Sequence, residues 1–269
     1  MKKINMLSNN FSHAFCSTLS KRPKYFEWDF HSKNNDLSVY IDNDVMKGLR
    51  DKNDKKTKIL WLLESNFFDG GALEFVKNNL IQIKETFVEV WTHNHYLLNL
   101  DEIFKWCPAY GTYIDKIELY PKNKLLSMIT SNKIFTEQQK FRYNFAIKNR
   151  DKLDLFGRGF SEIEKKETGL CDYMFSICIE NDTYDTYFTE KILDCFATGT
   201  IPIYKGTKKI TNYFDENGIL FLDEIDLNDI NSDLYYSKLN SVIKNLELVK
   251  EYDVLEDWIY NKYLKKFLQ

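Results

Sequence analysis

The run ENDTYDTYFTEK, residues 180–191, crowds an amide, hydroxyls, carboxylates and an ammonium into one short polar stretch. Asn181, Tyr187, Glu190 and Lys191 are the residues there with chemistry to offer. An amide and a phenol hydrogen-bond in either sense, a carboxylate accepts from hydroxyls, and an ammonium meets anions. The neighbouring elements decide whether they act together. Tyr173–Ile179 is an apolar, β-branched run without polar alternation and reads as a buried parallel strand. Thr189 is a helix N-cap, followed by an apolar face of Ile192, Leu193 and Phe196. Gly199 is placed to end that helix, and Ile201–Tyr204 is a second buried strand. Ligands of doubly wound sheets sit beyond the carboxyl ends of strands, and a helix N-terminus suits a phosphate. The four residues are therefore expected to converge on a phosphate-bearing ligand. An ordinary β-α-β unit with solvated Glu190 and Lys191 is the plainer alternative, and the dense polar loop between apolar strands argues against it.

Other residue pairs carry weaker chemistry. Asp42-x-Asp44 follows the strand Leu37–Ile41, and two hard carboxylates suit a divalent cation. The preferred reading is that the pair caps the helix begun by Val45-Met46. Glu64 follows the strand KILWLL and His93 follows the strand Val88–Trp91, so both stand at carboxyl ends, where a second substrate would meet the first. His93-x-His95 has no third ligand near it, which favours a surface or substrate-lining role over a metal. Gly157-Arg158-Gly159, after Leu153–Phe156, would let the backbone approach a nucleotide, but a lone Gly-x-Gly is a weak signal. Lys165-Lys166 reads as a solvated helix face.

The chain has 269 residues and a formal charge of −3, which argues against a nucleic-acid binder. Five cysteines without a Cys-x-x-Cys read as reduced thiols. Ile4–Leu7 and Leu37–Ile41 are expected strands, joined by an aromatic loop of Phe26, Trp28 and Phe30. One helix over about residues 71–86 carries the stripe Leu73, Val76, Leu80, Ile83 and Phe87. Residues 106–114 read as loop with at most a short strand. Lys124–Ile129 is a strand. The helix after it, from Thr136 to Arg150, turns Phe141 and Phe145 inward. Residues 223–269 read as mostly helical, with Leu234, Leu239, Val242, Ile243 and Leu246 on one face. The basic, aromatic end from Trp258 is expected to pack back across the two domains, with contact at a membrane surface as the alternative. The fold class is α/β. Two Rossmann-like domains, 1–121 and 122–269, meet near Pro121-Lys122, and the second ends in the helical segment.

The stretch 173–206 resembles the α-1,3-fucosyltransferase family. The matching residues are Glu180-Asn181, Tyr187, Thr189-Glu190-Lys191 and Gly199-x-Ile201-Pro202-Ile203-Tyr204-x-Gly206, and Ser131-Asn132 after a strand is a fainter match. The resemblance implies a GT-B fold, two Rossmann-like domains facing a cleft, with the acceptor on the N-terminal domain and the sugar nucleotide on the C-terminal one. It implies an inverting transfer of fucose from GDP-fucose to a glycan acceptor. Glu64 then takes the place of the base that deprotonates the acceptor hydroxyl, an assignment resting on position and order. Arg142 takes the place of an arginine that pairs with the donor diphosphate, with Arg150 as its rival. Lys191 joins it there, Glu190 and Tyr187 hold ribose or sugar hydroxyls, and Asn181 offers an amide. No metal is expected to be essential, and a divalent cation is at most stimulatory. Animal members carry an N-terminal membrane anchor. Here no secretory leader and no apolar run of about 18 residues is present, so a cytoplasmic enzyme of bacterial or viral type is expected. A related transferase using GDP-mannose or a UDP-sugar, and a non-catalytic sugar-nucleotide-binding protein, are the alternatives.

Overall fold

The apolar runs form two parallel sheets in the computed structural model, which describes residues 1–8, 21–31, 35–52, 56–65 and 70–268. Cys16 and Asn66 lie outside the described residues. The chain divides into two compact units, Met1–Gly111 with Val254–Gln269, and Thr112–Asp253. The division falls earlier than the expected 121/122, and the final segment goes with the first unit, not the second.

Among the described residues, unit 1 holds a six-stranded sheet in the order β2-β1-β3-β4-β5-β6. Its strands are β1 (Lys2–Leu7), β2 (Phe26–Asp29), β3 (Leu37–Ile41), β4 (Thr57–Leu62), β5 (Glu89–Thr92) and β6 (Phe104–Trp106). Between them run α1 (Val45–Arg50), α2 (Ala72–Asn78), α3 (Leu80–Thr86) and α4 (His95–Leu98). β3 is buried at every residue, and β4 at all but its first, which explains their unbroken apolar reading. The expected aromatic loop is instead edge strand β2. Phe26 and Trp28 turn inward while Glu27 and Asp29 are half-exposed, a two-residue period too short to stand out. The expected helix over 71–86 breaks at Asn79, whose backbone leaves the helical region and whose side-chain amide donates to Phe75 O at 2.8 Å.

Unit 2 holds a five-stranded sheet in the order β11-β10-β9-β7-β8, again among the described residues. The strands are β7 (Lys124–Ile129), β8 (Asp154–Phe156), β9 (Tyr173–Ile179), β10 (Ile201–Lys205) and β11 (Leu220–Phe221). β8 lies to one side of β7 and β9 to the other. The chain therefore reverses its winding between β7 and β9, and the crevice beyond their carboxyl ends is the natural ligand position. The core packs Phe175, Ile177, Ile201 and Ile203 against Tyr235 and Val242, and each fully buried isoleucine contributes roughly 1.5–3 kcal/mol.

Four helices serve this sheet: α5 (Glu137–Lys148), α6 (Glu190–Thr198), α7 (Ser232–Ser237) and α8 (Leu239–Leu248). Thr136 caps α5 by accepting from Gln139 N at 3.0 Å. The inward face of α5 is the expected one only in part: Phe145 packs against the core and Gln139, Arg142 and Ala146 are buried, while Phe141 is 40% exposed. Ile243 is likewise exposed on α8. Gly199 ends α6 at φ +69°, where a side chain would be strained and a Cβ would strike Leu119. Lys122 locks the far end of α6: its ammonium donates to Thr198 O at 2.8 Å and Cys171 O at 2.9 Å.

The final segment forms α9 (Leu255–Ile259) and a wide turn over Tyr260–Leu264. It packs on the sheet of unit 1. Trp28 Nε1 donates to Glu256 Oε1 at 2.8 Å, Tyr260 stacks on Tyr25 at 4.1 Å, and Trp258 meets the edge of Trp106. Its aromatic residues are thus engaged within the unit. No helix among the described residues is long and apolar enough to cross a membrane.

Candidate functional site

The start of α6 is built around one buried carboxylate. Glu180 leaves β9 fully buried, and its Oε1 accepts from Thr189 N at 3.0 Å and its Oε2 from the Thr189 hydroxyl at 2.7 Å. Thr189 is the N-cap, accepting in turn from Lys191 N at 3.4 Å. Glu180 thereby fixes where the helix begins and which way Glu190 and Lys191 leave it. Lys191 Nζ lies 3.4 Å from Glu180 Oε2 and 3.7 Å from Glu190 Oε1. Both flanking carboxylates raise its pKa against the opposing effect of burial. Burial would raise the Glu190 pKa, but Lys191 and Lys166 outweigh it and hold the carboxyl at about 2.

A cavity of about 200 Å³ opens here, beyond the carboxyl ends of β7 and β9. Arg142, Glu190 and Lys191 line it together with Thr130, Ser131 and Lys166. Arg142 reaches in from α5. One of its terminal nitrogens donates to Ile179 O at 3.3 Å and Asn181 Oδ1 at 3.1 Å. Its Nε is buried and has no hydrogen-bond partner among the described residues. Arg142 also lines the cavity, and a guanidinium there offers a place for an anion. Asn181 thus belongs to the site through Arg142. Tyr187 does not line the cavity; it is buried with its ring 5.0 Å from that of Tyr184. Arg150, the expected rival of Arg142, is exposed and pairs with Asp151.

Three residues of the site carried no role in the sequence reading. Glu180 was visible in the motif but looked like the end of a strand. Asp194 sits inside an apolar helix pattern and is 1% exposed, accepting from the Thr112 hydroxyl at 2.8 Å and Tyr113 N at 2.7 Å. Lys166 is not on a solvated face: its Nζ lies 2.7 Å from Asp194 Oδ2 and 3.4 Å from Glu190 Oε1. The adjacent Lys165, exposed and paired with Asp115, is the one that fits the solvated reading. An isolated acid at a core spacing in α6 was the available signal for a buried partner. Gly157 has φ +107°, and a Cβ there would lie 2.0 Å from Thr130 O, so the glycine lets two loops meet.

In unit 1 the exit of β4 is held from two sides. Asp42 Oδ1 accepts from Leu63 N at 2.8 Å and Glu64 N at 3.3 Å, and His93 Nε2 donates to Leu63 O at 2.8 Å. Asp44 pairs with Lys47 at 2.6 Å. The Asp42-x-Asp44 pair therefore does not cap α1 through its side chains; Asp42 orients the backbone that carries Glu64. Glu64 itself is half-buried. His93 is buried, and burial lowers its pKa to about 4. The imidazole is thus neutral in the folded chain at pH 6.5, where an unfolded chain is half protonated. As pH falls from about 6.5 to 4 the unfolded state binds a proton that the folded state refuses. Stability should therefore fall over that window, by a total on the order of 3 kcal/mol. Urea unfolding at pH 7 and pH 4.5 should show this loss in the parent and much less of it in His93→Gln. Identical slopes in the two chains would rule out a buried neutral imidazole.

Residues 119–252 match the family model described as glycosyltransferase family 10 (fucosyltransferase), C-terminal. Through this domain the chain belongs to glycosyltransferase family 10. Every residue of the α6 site from Arg142 to Asp194 lies within the family 10 domain, and Glu64 lies outside it. An α-(1,3)-fucosyltransferase, FucT, of Helicobacter pylori is 31% identical over 91 residues, 34% of this chain and 19% of that protein. The match thus spans about a fifth of the relative's length. A crystal structure of an α1,3-fucosyltransferase with GDP aligns at TM-score 0.53 and 15% identity, covering 95% of this chain and 90% of the other. One with GDP-fucose aligns at TM-score 0.52 and 15% identity, over 99% and 89%. These likenesses show the fold: α/β, of the GT-B class, with two Rossmann-like units.

Proposed function

We propose that the protein is an inverting fucosyltransferase that moves fucose from GDP-fucose to a hydroxyl of a glycan acceptor. One observation carries the reading. Within a family 10 domain, Arg142 and Lys191 line one cavity at the reversal point of the sheet. Two related folds were captured with GDP or GDP-fucose, which supports a guanine nucleotide donor here.

The chemistry asks for charge neutralisation. As the bond from the anomeric carbon to the diphosphate oxygen breaks, the electron pair and the growing charge go to the diphosphate. Arg142 offers a planar fork suited to phosphate oxygens, Lys191 a point charge, and α6 the positive end of its dipole. The acceptor oxygen bonds to the opposite face of the anomeric carbon, and its proton passes to Glu64. Glu190, held ionised, accepts from ribose or sugar hydroxyls, and the amide of Asn181 is placed next to Arg142. The roles given to Glu64, Arg142, Asn181, Tyr187, Glu190 and Lys191 are parts of this proposal.

GDP should stabilise the chain against heat by about 5 °C at a hundredfold excess over its dissociation constant, and UDP should not. Arg142→Ala removes a charge-assisted hydrogen bond of roughly 1.5–3 kcal/mol. GDP should therefore bind that variant about tenfold to a hundredfold more weakly by calorimetry. Stabilisation by UDP and not GDP would replace the donor with a UDP-sugar. Equal GDP affinity in Arg142→Ala and parent would remove the diphosphate contact assigned to Arg142.

A further inference from the structure

Glu190 is shared between two ammonium groups. Its Oε1 lies 3.4 Å from Lys166 Nζ and 3.7 Å from Lys191 Nζ. Lys191 stands at the start of α6, where the diphosphate is placed. Lys166 comes from elsewhere, a single 3₁₀ turn over Lys166–Gly169. Its Nζ is clamped by Asp194 at 2.7 Å and lies 4.6 Å from the centre of the Tyr113 ring. Asp194 is fixed in turn by Thr112 and Tyr113, so Lys166 is held on one side by groups outside the proposed donor contacts and on the other by Glu190, which is one of them. Burial opposes charge on Lys166, but Asp194 and Glu190 outweigh it and raise its pKa. The charged groups around Glu190 are three cations, Arg142, Lys166 and Lys191, and two further anions, Glu180 and Asp194.

This balance changes when an anion arrives. A diphosphate competes with Glu180 and Glu190 for Lys191, and it brings negative charge close to a carboxylate that is already shielded from water. Lys166 is then the partner that remains to Glu190. We propose that Lys166 is a positioning residue for the donor, keeping the Glu190 carboxylate oriented and charged while the diphosphate occupies Lys191. The proposal rests on the donor-site reading above and adds a residue that lies before the strand–loop–helix–strand signature. Lys166 lines the same cavity, and in this role it acts through Glu190.

The effect of losing Lys166 follows from electrostatics. With Lys166→Met, bound diphosphate leaves Glu190 facing like charge in a half-buried position, and binding becomes easier once Glu190 takes up a proton. GDP affinity, measured by calorimetry on the full chain, should fall at least about tenfold at pH 8 and by a clearly smaller factor at pH 5.5, each relative to the parent at the same pH. In buffers of different ionisation heat the variant should take up more protons per GDP than the parent does. Lys166→Arg should restore affinity to within about threefold, since it restores the charge. Lys166→Gln carries the same test if the methionine variant does not fold.

Parent-like affinity with the parent's proton count in Lys166→Met overturns the proposal. So does an equal loss at both pH values that Lys166→Arg fails to repair, because that is the signature of packing alone. A parent chain that binds no GDP overturns the donor reading, and the proposal with it. That outcome is distinct from a parent that binds and a variant that binds equally well.

Discussion

Lys191→Ala should turn over donor about 10²–10³-fold more slowly than the parent at saturating donor, the range seen when one preorganised group is withdrawn from developing charge. The expectation comes from where the ammonium is held. Glu180 is fixed by two hydrogen bonds from Thr189, and the same residue caps α6, so Lys191 cannot drift without disturbing the helix start. A group already in position costs nothing to reorganise as the diphosphate leaves. The loss should therefore fall more on turnover than on GDP affinity, because charge on the leaving oxygen is greatest at the transition state. The variant leaves Glu180 with its Thr189 bonds and Glu190 with Lys166, so both carboxylates keep partners. Its circular dichroism should match the parent, with a lowered melting temperature. Near-parent turnover in a folded Lys191→Ala chain would move the diphosphate away from α6.

The sequence showed the α6 site and hid its supports. β9, the cap Thr189, α6 and the stop at Gly199 stand where the residues placed them, because each boundary has a local cause: an apolar run, a capping hydroxyl, a left-handed glycine. β2 was missed because four residues with two inward aromatics offer too little period to read. Arg142 was singled out and does line the cavity, but the rotation of α5 was legible only at Phe145. A helix is ordinarily rotated by its apolar residues, and here the buried side includes an arginine that meets Ile179 O and Asn181. Phe141, the other expected inward residue, is accordingly turned outward. Lys166 and Asp194 were illegible for a related reason. They lie far apart in sequence, and a buried ion pair leaves no periodic trace in either segment. The final segment has the same character. Its aromatics predict burial somewhere, and only the fold shows that Tyr25, Trp91 and Trp106 of unit 1 receive them.

Glu64→Gln should lower the transfer rate by at least about a hundredfold, the lower end of what general-base catalysis supplies. GDP should bind as in the parent, since the proposed donor contacts all lie in unit 2. Glutamine keeps the length of the side chain and can hydrogen-bond an acceptor hydroxyl, but it cannot take the proton. The backbone should not move with the substitution. Leu63 and Glu64 are held through their main-chain groups, by Asp42 on the N–H side and His93 on the carbonyl side. The pH dependence separates this base from other carboxylates. Glu190 is held at about 2 and so stays ionised across any usable assay range. If Glu64 is the base, an acidic limb in the parent's pH–rate profile should vanish in Glu64→Gln along with most of the rate, and a limb that survives the substitution belongs to another carboxylate. His93 does not substitute for it, because burial holds its imidazole at about 4 and its Nε2 is spent on Leu63 O. Nearly full transfer by Glu64→Gln would place the base on another residue. Loss of GDP binding in that variant would make Glu64 structural, since it would mean that a change at the end of β4 had reached the donor contacts of unit 2.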